Sequence, residues 1–142
     1  MKPNQWIACG AVLAGLAVIT GAFGAHGLEA FLTKNEGLAQ QVLARRLENY
    51  ETAVRYQMYH ALALVLVGLV AIQRRSQWLN VAGWGFVAGT ALFSGCLYAI
   101  VFGAPLWFGR VVPAGGLALI VGWLAFAVAA STAGSSDRRS ES

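Results

Sequence analysis

Half of this chain's charged side chains sit in one short window, and they leave four long stretches with none. There are 26 uncharged residues between Lys2 and Glu29, 18 between Arg55 and Arg74, 34 between Arg75 and Arg110, and 26 between Arg110 and Asp137. A soluble domain carries charge on about a quarter of its residues. Here 11% are charged and 58% are hydrophobic. A helix needs about 20 mainly apolar residues to cross a hydrocarbon core roughly 30 Å thick, and each gap can hold one such helix. The chain therefore reads as an all-α membrane protein with four transmembrane helices in a compact bundle.

The patterning places the spans at about 5–25, 56–72, 78–102 and 111–130. Residues 1–130 form one transmembrane domain, and the Ser, Gly and charge of residues 131–142 read as a disordered tail. The window from Leu28 to Arg55 holds four acids and four bases. In it Leu38, Val42, Leu47, Tyr50 and Val54 recur at helical spacing while Arg45, Glu48, Glu51 and Arg55 take other positions. Residues 38–55 thus predict an amphipathic helix at the membrane interface, between the first and second spans and nearly continuous with the second. Glu51 and Arg55 form a favourable i,i+4 pair.

Glycines at 10, 15, 21 and 24 suit close helix packing and predict the first span in the bundle interior. Gly85 and Gly89 form a GxxxG in the third span. Pro113 is expected in the first turn of the fourth helix. Trp6 and Trp78 are expected in one interfacial belt, and Tyr56, Tyr59, Tyr98 and Trp107 in the other. The uncharged run from Trp6 to Ala25 is longer than a signal-peptide core, and further spans follow it. The two cysteines are expected as free, packed thiols.

Lys and Arg are dispersed over tails and connectors, which disfavours nucleic acid and makes the lipid bilayer the partner. An even number of spans places both termini on one side, with five basic residues on each side of the membrane. The Arg74–Arg75 pair in a tight connector favours cytoplasmic termini.

The same topology gathers the notable polar residues in one leaflet. His26 closes the first span, Gln57 and His60 open the second, Ser94 and Tyr98 lie late in the third, and Arg110 precedes the fourth. These six are the candidate pocket residues, and a pocket should open beneath the amphipathic segment. His26 and His60 could pair as metal or haem ligands with help from Glu29, but two histidines without a third spaced ligand are weak evidence against ordinary hydrogen bonding. Every carboxylate falls outside the uncharged stretches, which disfavours ion-coupled transport. No catalytic residue, cofactor or metal site is expected.

Gly21-Ala22-Phe23-Gly24-Ala25-His26-Gly27-Leu28, Tyr56-Gln57 with His60-Ala61-Leu62, Leu92-Phe93-Ser94-Gly95 with Leu97-Tyr98, and Pro113 with Gly115-Gly116 and Gly122-Trp123 stand in one order along the chain. In these motifs the chain resembles the YgdD-like family of small membrane proteins, also called domain of unknown function 423, up to about Ala130. The resemblance implies four spans in a bacterial inner membrane and supplies no reaction.

The resulting expectation is a non-enzymatic structural or accessory membrane component, self-associating or part of a larger membrane complex. The alternative is an oligomeric transporter or pore for a small neutral or weakly basic solute. A third reading is a histidine-based metal or haem site.

Overall fold

In lipid a backbone N–H or C=O has no solvent to bond, so each uncharged stretch is driven to satisfy its own peptide groups as a helix. The computed structural model describes residues 1–36, 39–105 and 107–132, with Asn35 and Glu36 described by their backbone alone. These residues form helices α1 (Pro3–His26), α2 (Leu28–Glu36), α3 (Gln40–Gln73), α4 (Gln77–Val101) and α5 (Phe108–Ser131), with no strand among them. Helices α1, α3, α4 and α5 are each long and apolar enough to cross a membrane. Ser131 closes α5 rather than opening the tail, and residues 133–142 of the expected disordered tail lie outside the described residues.

From Gln40 onward the amphipathic segment and the second span are one helix, and Leu38 of the expected segment lies outside the described residues. At 1.5 Å per residue the 34 residues of α3 extend about 51 Å, against a hydrocarbon core of roughly 30 Å, so its first turns stand beyond the core. They are held there by a second cluster of buried side chains: Leu28 and Leu32 of α2, Leu43 and Tyr50 of α3, and Val101 of α4. Arg46 adds a hydrogen bond from Nη1 to the Val101 carbonyl at 2.9 Å, and Arg55 pairs with Glu51 as its spacing predicts. The sequence pattern predicts no element over residues 28–36. They form α2, whose Leu28 and Leu32 fill the corner between projecting α3 and the end of α4.

Packing runs chiefly α1 on α3, α3 on α4 and α4 on α5, each pair antiparallel. Glycine sets these approaches. A Cβ at Gly10 would stand 2.6 Å from the Ala61 carbonyl oxygen, and one at Gly68 would stand 2.9 Å from the Pro3 carbonyl oxygen. On the other side, a Cβ at Gly85 would lie 2.9 Å from Gly122 Cα, and one at Gly115 would lie 2.5 Å from the Phe93 nitrogen. The GxxxG of α4 is therefore used within the chain, against α5.

Three expectations need correction. Helix α1 flanks the bundle instead of occupying its interior: Trp6, Gly10 and Ala17 are its buried residues, and Val12, Leu16, Val18 and Ile19 are exposed. Its small residues make a contact face chiefly on α3, with Trp6 and Thr20 reaching across to α4. Trp6, in the first turn of α1, turns into the core instead of outward to an aromatic belt, 1% exposed, because Gly83 offers no side chain where the indole lies and Trp84 meets it edge-on at 5.7 Å. Pro113 stands in the second turn of α5, since Phe108 and Arg110 already bond back to Pro105 and Trp107 and draw the start of the helix forward.

Candidate functional site

Polar side chains in lipid-immersed helices are satisfied by one another where they can be, and here they form two sets. In the first, Gln57 of α3 donates from Nε2 to the Leu13 carbonyl of α1 at 3.0 Å. Its Oε1 accepts from the Tyr98 hydroxyl of α4 at 2.9 Å. That hydroxyl also lies 3.3 Å from Thr20 Oγ1, while Tyr50 donates to the Thr20 carbonyl at 2.9 Å. The Tyr50 and Tyr98 rings meet edge-on, 5.2 Å between centroids. One amide and two phenols thereby tie α1, α3 and α4 together.

The second set lies one turn deeper on α3. His60 Nε2 accepts from the Trp123 indole N–H at 3.2 Å, and its Nδ1 lies 2.7 Å from the Tyr56 carbonyl. An indole nitrogen can only donate, so Nε2 is unprotonated, Nδ1 carries the hydrogen and the ring is neutral. Phe86 packs beside both His60 and Trp123. Tyr56, stacked on Phe93, joins them in lining a shallow groove of about 480 Å³ between α3 and α5.

Of the six sequence candidates, Gln57 and Tyr98 bond directly, and His60 belongs to the neighbouring set. Ser94 is buried at 1% exposure, and neither its hydroxyl nor that of Thr90, one turn earlier, has a hydrogen-bond partner among the described residues. Arg110 is exposed in the first turn of α5. His26 stands apart from His60. The end of α1 meets α3 at Tyr50, where a Cβ on Gly24 would touch the phenol ring, and His60 lies ten residues further along α3, about 15 Å at 1.5 Å per residue. Both nitrogens of His60 already have partners, so the pair offers little as metal ligands. Among the described residues no three His, Cys, Asp or Glu side chains come together as a metal site, and Cys9 and Cys96 are free thiols.

A cavity does open beneath the amphipathic segment. It measures about 900 Å³, lies between the end of α1, α2 and the outer half of α3, and is lined by His26, Glu29, Glu48, Glu51 and Tyr50, with the glycines of α1 on one wall. Of the expected pocket residues only His26 reaches it. Thr20 and Trp123 were absent from the sequence candidates although each completes a hydrogen bond. Their only signal was depth: Thr20 is the single hydroxyl of its span, and Trp123 lies well inside the fourth.

Comparison with known proteins agrees with this architecture. Residues 20–116 match the family model described as protein of unknown function (DUF423). The chain is 39% identical to a UPF0382 membrane protein of Staphylococcus aureus over 124 residues, covering 87% of this chain and 93% of the relative. It is 39% identical to the UPF0382 membrane protein YwdK of Bacillus subtilis over 126 residues, 88% and 94% of the two chains. A UPF0382 membrane protein of Staphylococcus saprophyticus is 40% identical over 119 residues, 84% and 90%. No solved structure matches the chain.

Proposed function

The chain belongs to the DUF423 family of membrane proteins, and from that footing we propose that it is a non-enzymatic structural or accessory component of the bacterial inner membrane. The observation that carries this reading is the use of its membrane-embedded polar groups. Gln57, Tyr98, Thr20, Tyr50, His60 and Trp123 are all committed to joining one helix to another. A reaction centre needs groups left free to meet a substrate, and here the Gln57 amide, the His60 imidazole and the Tyr50 and Tyr98 phenols already have partners, while the buried hydroxyls of Thr90 and Ser94 are without one among the described residues. What remains outward is apolar helix surface: Val12, Leu16 and Ile19 on α1, and Leu117, Ile120, Val121 and Leu124 on α5. Such faces suit association with a second copy or with a larger membrane complex. The termini lie on the cytoplasmic side in this reading, with the Arg74–Arg75 connector beside them. Extraction in mild detergent followed by native mass spectrometry is expected to show a dimer or a copurifying membrane protein. A bare monomer from native membranes would sink the proposal.

The cavity beneath α2 favours a second reading, an oligomeric transporter for a small weakly basic solute. Glu29, Glu48 and Glu51 on its lining could gather such a solute at the membrane face. Uptake into proteoliposomes, abolished or reduced in Glu29→Gln and Glu48→Gln on the cavity lining, is the result this reading expects. No flux in the wild-type protein removes it.

A further inference from the structure

At the face opposite α2, three cationic side chains from distant parts of the sequence line one cavity. Lys2 precedes α1, while Arg74 and Arg75 form the turn between α3 and α4, and the cavity between them measures about 650 Å³. All three side chains are exposed, and none forms an ion pair with the described residues. No lining residue is acidic. Helices α1 and α4 both begin at this wall, at Pro3 and Gln77, so the positive ends of two helix dipoles add to the side-chain charge. Gln77 and Asn80 supply amide groups, whereas Trp6, Ile72 and Leu79 make the inner wall apolar.

We propose that this cavity binds the phosphodiester headgroup of an anionic phospholipid, with Lys2, Arg74 and Arg75 as the phosphate-contacting residues. Charge and position choose the ligand together. A phosphodiester in water would need only the cations. A lipid also needs apolar surface leading toward the hydrocarbon, and exposed Ile72 provides it beside the charges, with Trp6 and Leu79 packed behind it. Zwitterionic lipids bring an ammonium group that would find no carboxylate on this lining, so phosphatidylglycerol fits better than phosphatidylcholine. Basic pockets at the ends of transmembrane helices are suited to such headgroups, and arginine can grip a phosphate through two parallel hydrogen bonds.

The test uses the full chain in detergent with phosphatidylglycerol or phosphatidylcholine added, read by native mass spectrometry and by thermal unfolding. Wild-type protein is expected to retain phosphatidylglycerol about tenfold more strongly than phosphatidylcholine, with the preference weakening as salt rises. Arg74→Gln with Arg75→Gln should bring the two lipids near parity, while Arg110→Gln, on the opposite face, should leave the preference intact. Lys2→Gln alone should lower it partway, which keeps the test open if the double variant folds poorly. A wild-type protein that does not discriminate, or a preference that survives all three substitutions, overturns the proposal. Inorganic phosphate that raises the unfolding temperature as much as phosphatidylglycerol would mean a free-anion site, and overturns the lipid assignment.

Discussion

At the scale of single residues, the half of the bundle nearer α2 depends on a few hydrogen bonds whose partners lie on different helices. Tyr98 is central, because its hydroxyl reaches both Gln57 Oε1 and Thr20 Oγ1. In Tyr98→Phe the ring still packs on Tyr50, so the loss isolates the hydroxyl. We expect destabilisation of about 1 kcal/mol, within the range of interhelical hydrogen bonds in membranes, measured by reversible unfolding in mixed micelles. Gln57→Leu should cost more, because it also leaves the Leu13 carbonyl without its donor. The double variant should lose less than the sum of the two, since both changes delete one bond; strict additivity would show that the bond contributes nothing. The sequence made Gln57 and Tyr98 visible because an amide and a phenol in an apolar run stand out. It could not pair them, since 41 residues separate them and their meeting depends on the register of α3 on α4. Trp123 stayed hidden for a different reason. A tryptophan in an apolar span reads as packing, and its role as donor to His60 appears only when α5 is placed.

Glycine decides the arrangement of whole elements, and only some glycines do so. Gly10, Gly68, Gly85 and Gly115 stand where a neighbouring backbone leaves no room for a Cβ, while Gly15 and Gly95 face open space. Gly10→Ala and Gly115→Ala should each separate a helix pair and cost about 1–3 kcal/mol, as overpacking does. Gly15→Ala and Gly95→Ala should be neutral or stabilising by up to about 1 kcal/mol, the intrinsic helix preference of alanine over glycine. Thermal unfolding of the four variants in one detergent separates the two classes, and equal losses in all four would contradict this division. The spans themselves were legible in the sequence because lipid imposes a length and excludes charge, constraints that act locally. The interior or peripheral position of a helix is not local. Glycine-rich α1 carries the composition of a central helix, yet it packs chiefly on α3 and leaves Val12, Leu16, Val18 and Ile19 exposed. Residues 28–36 were illegible as a helix for a related reason: Leu28 and Leu32 are buried in a cluster with Leu43 and Tyr50 of α3 and Val101 of α4, far away in sequence.

For the molecule as a whole, the four spans divide polar features between the two membrane faces. One face holds α2, the projecting half of α3 and a cavity with three glutamates; the other holds the cationic turn between α3 and α4 beside Lys2. Five basic residues fall on each side in the sequence, so the raw count does not orient the chain. Distribution breaks the tie. On the α2 side, Arg55 is paired with Glu51 and Arg46 bonds the Val101 carbonyl, which leaves less uncompensated charge to resist translocation. On the other side Arg74 and Arg75 stand in a turn of a few residues between two spans, where basic residues weigh most in fixing topology. The expected orientation therefore places the Arg74–Arg75 turn in the cytoplasm and α2 outside. A background with Cys9→Ala and Cys96→Ala permits the check: Lys34→Cys should react with a membrane-impermeant maleimide in intact spheroplasts, and Ser76→Cys only after the membrane is opened. The reverse pattern would invert the orientation while preserving the fold. Labelling of both positions from one side would be incompatible with four spans, because α3 alone carries the chain from one face to the other between them.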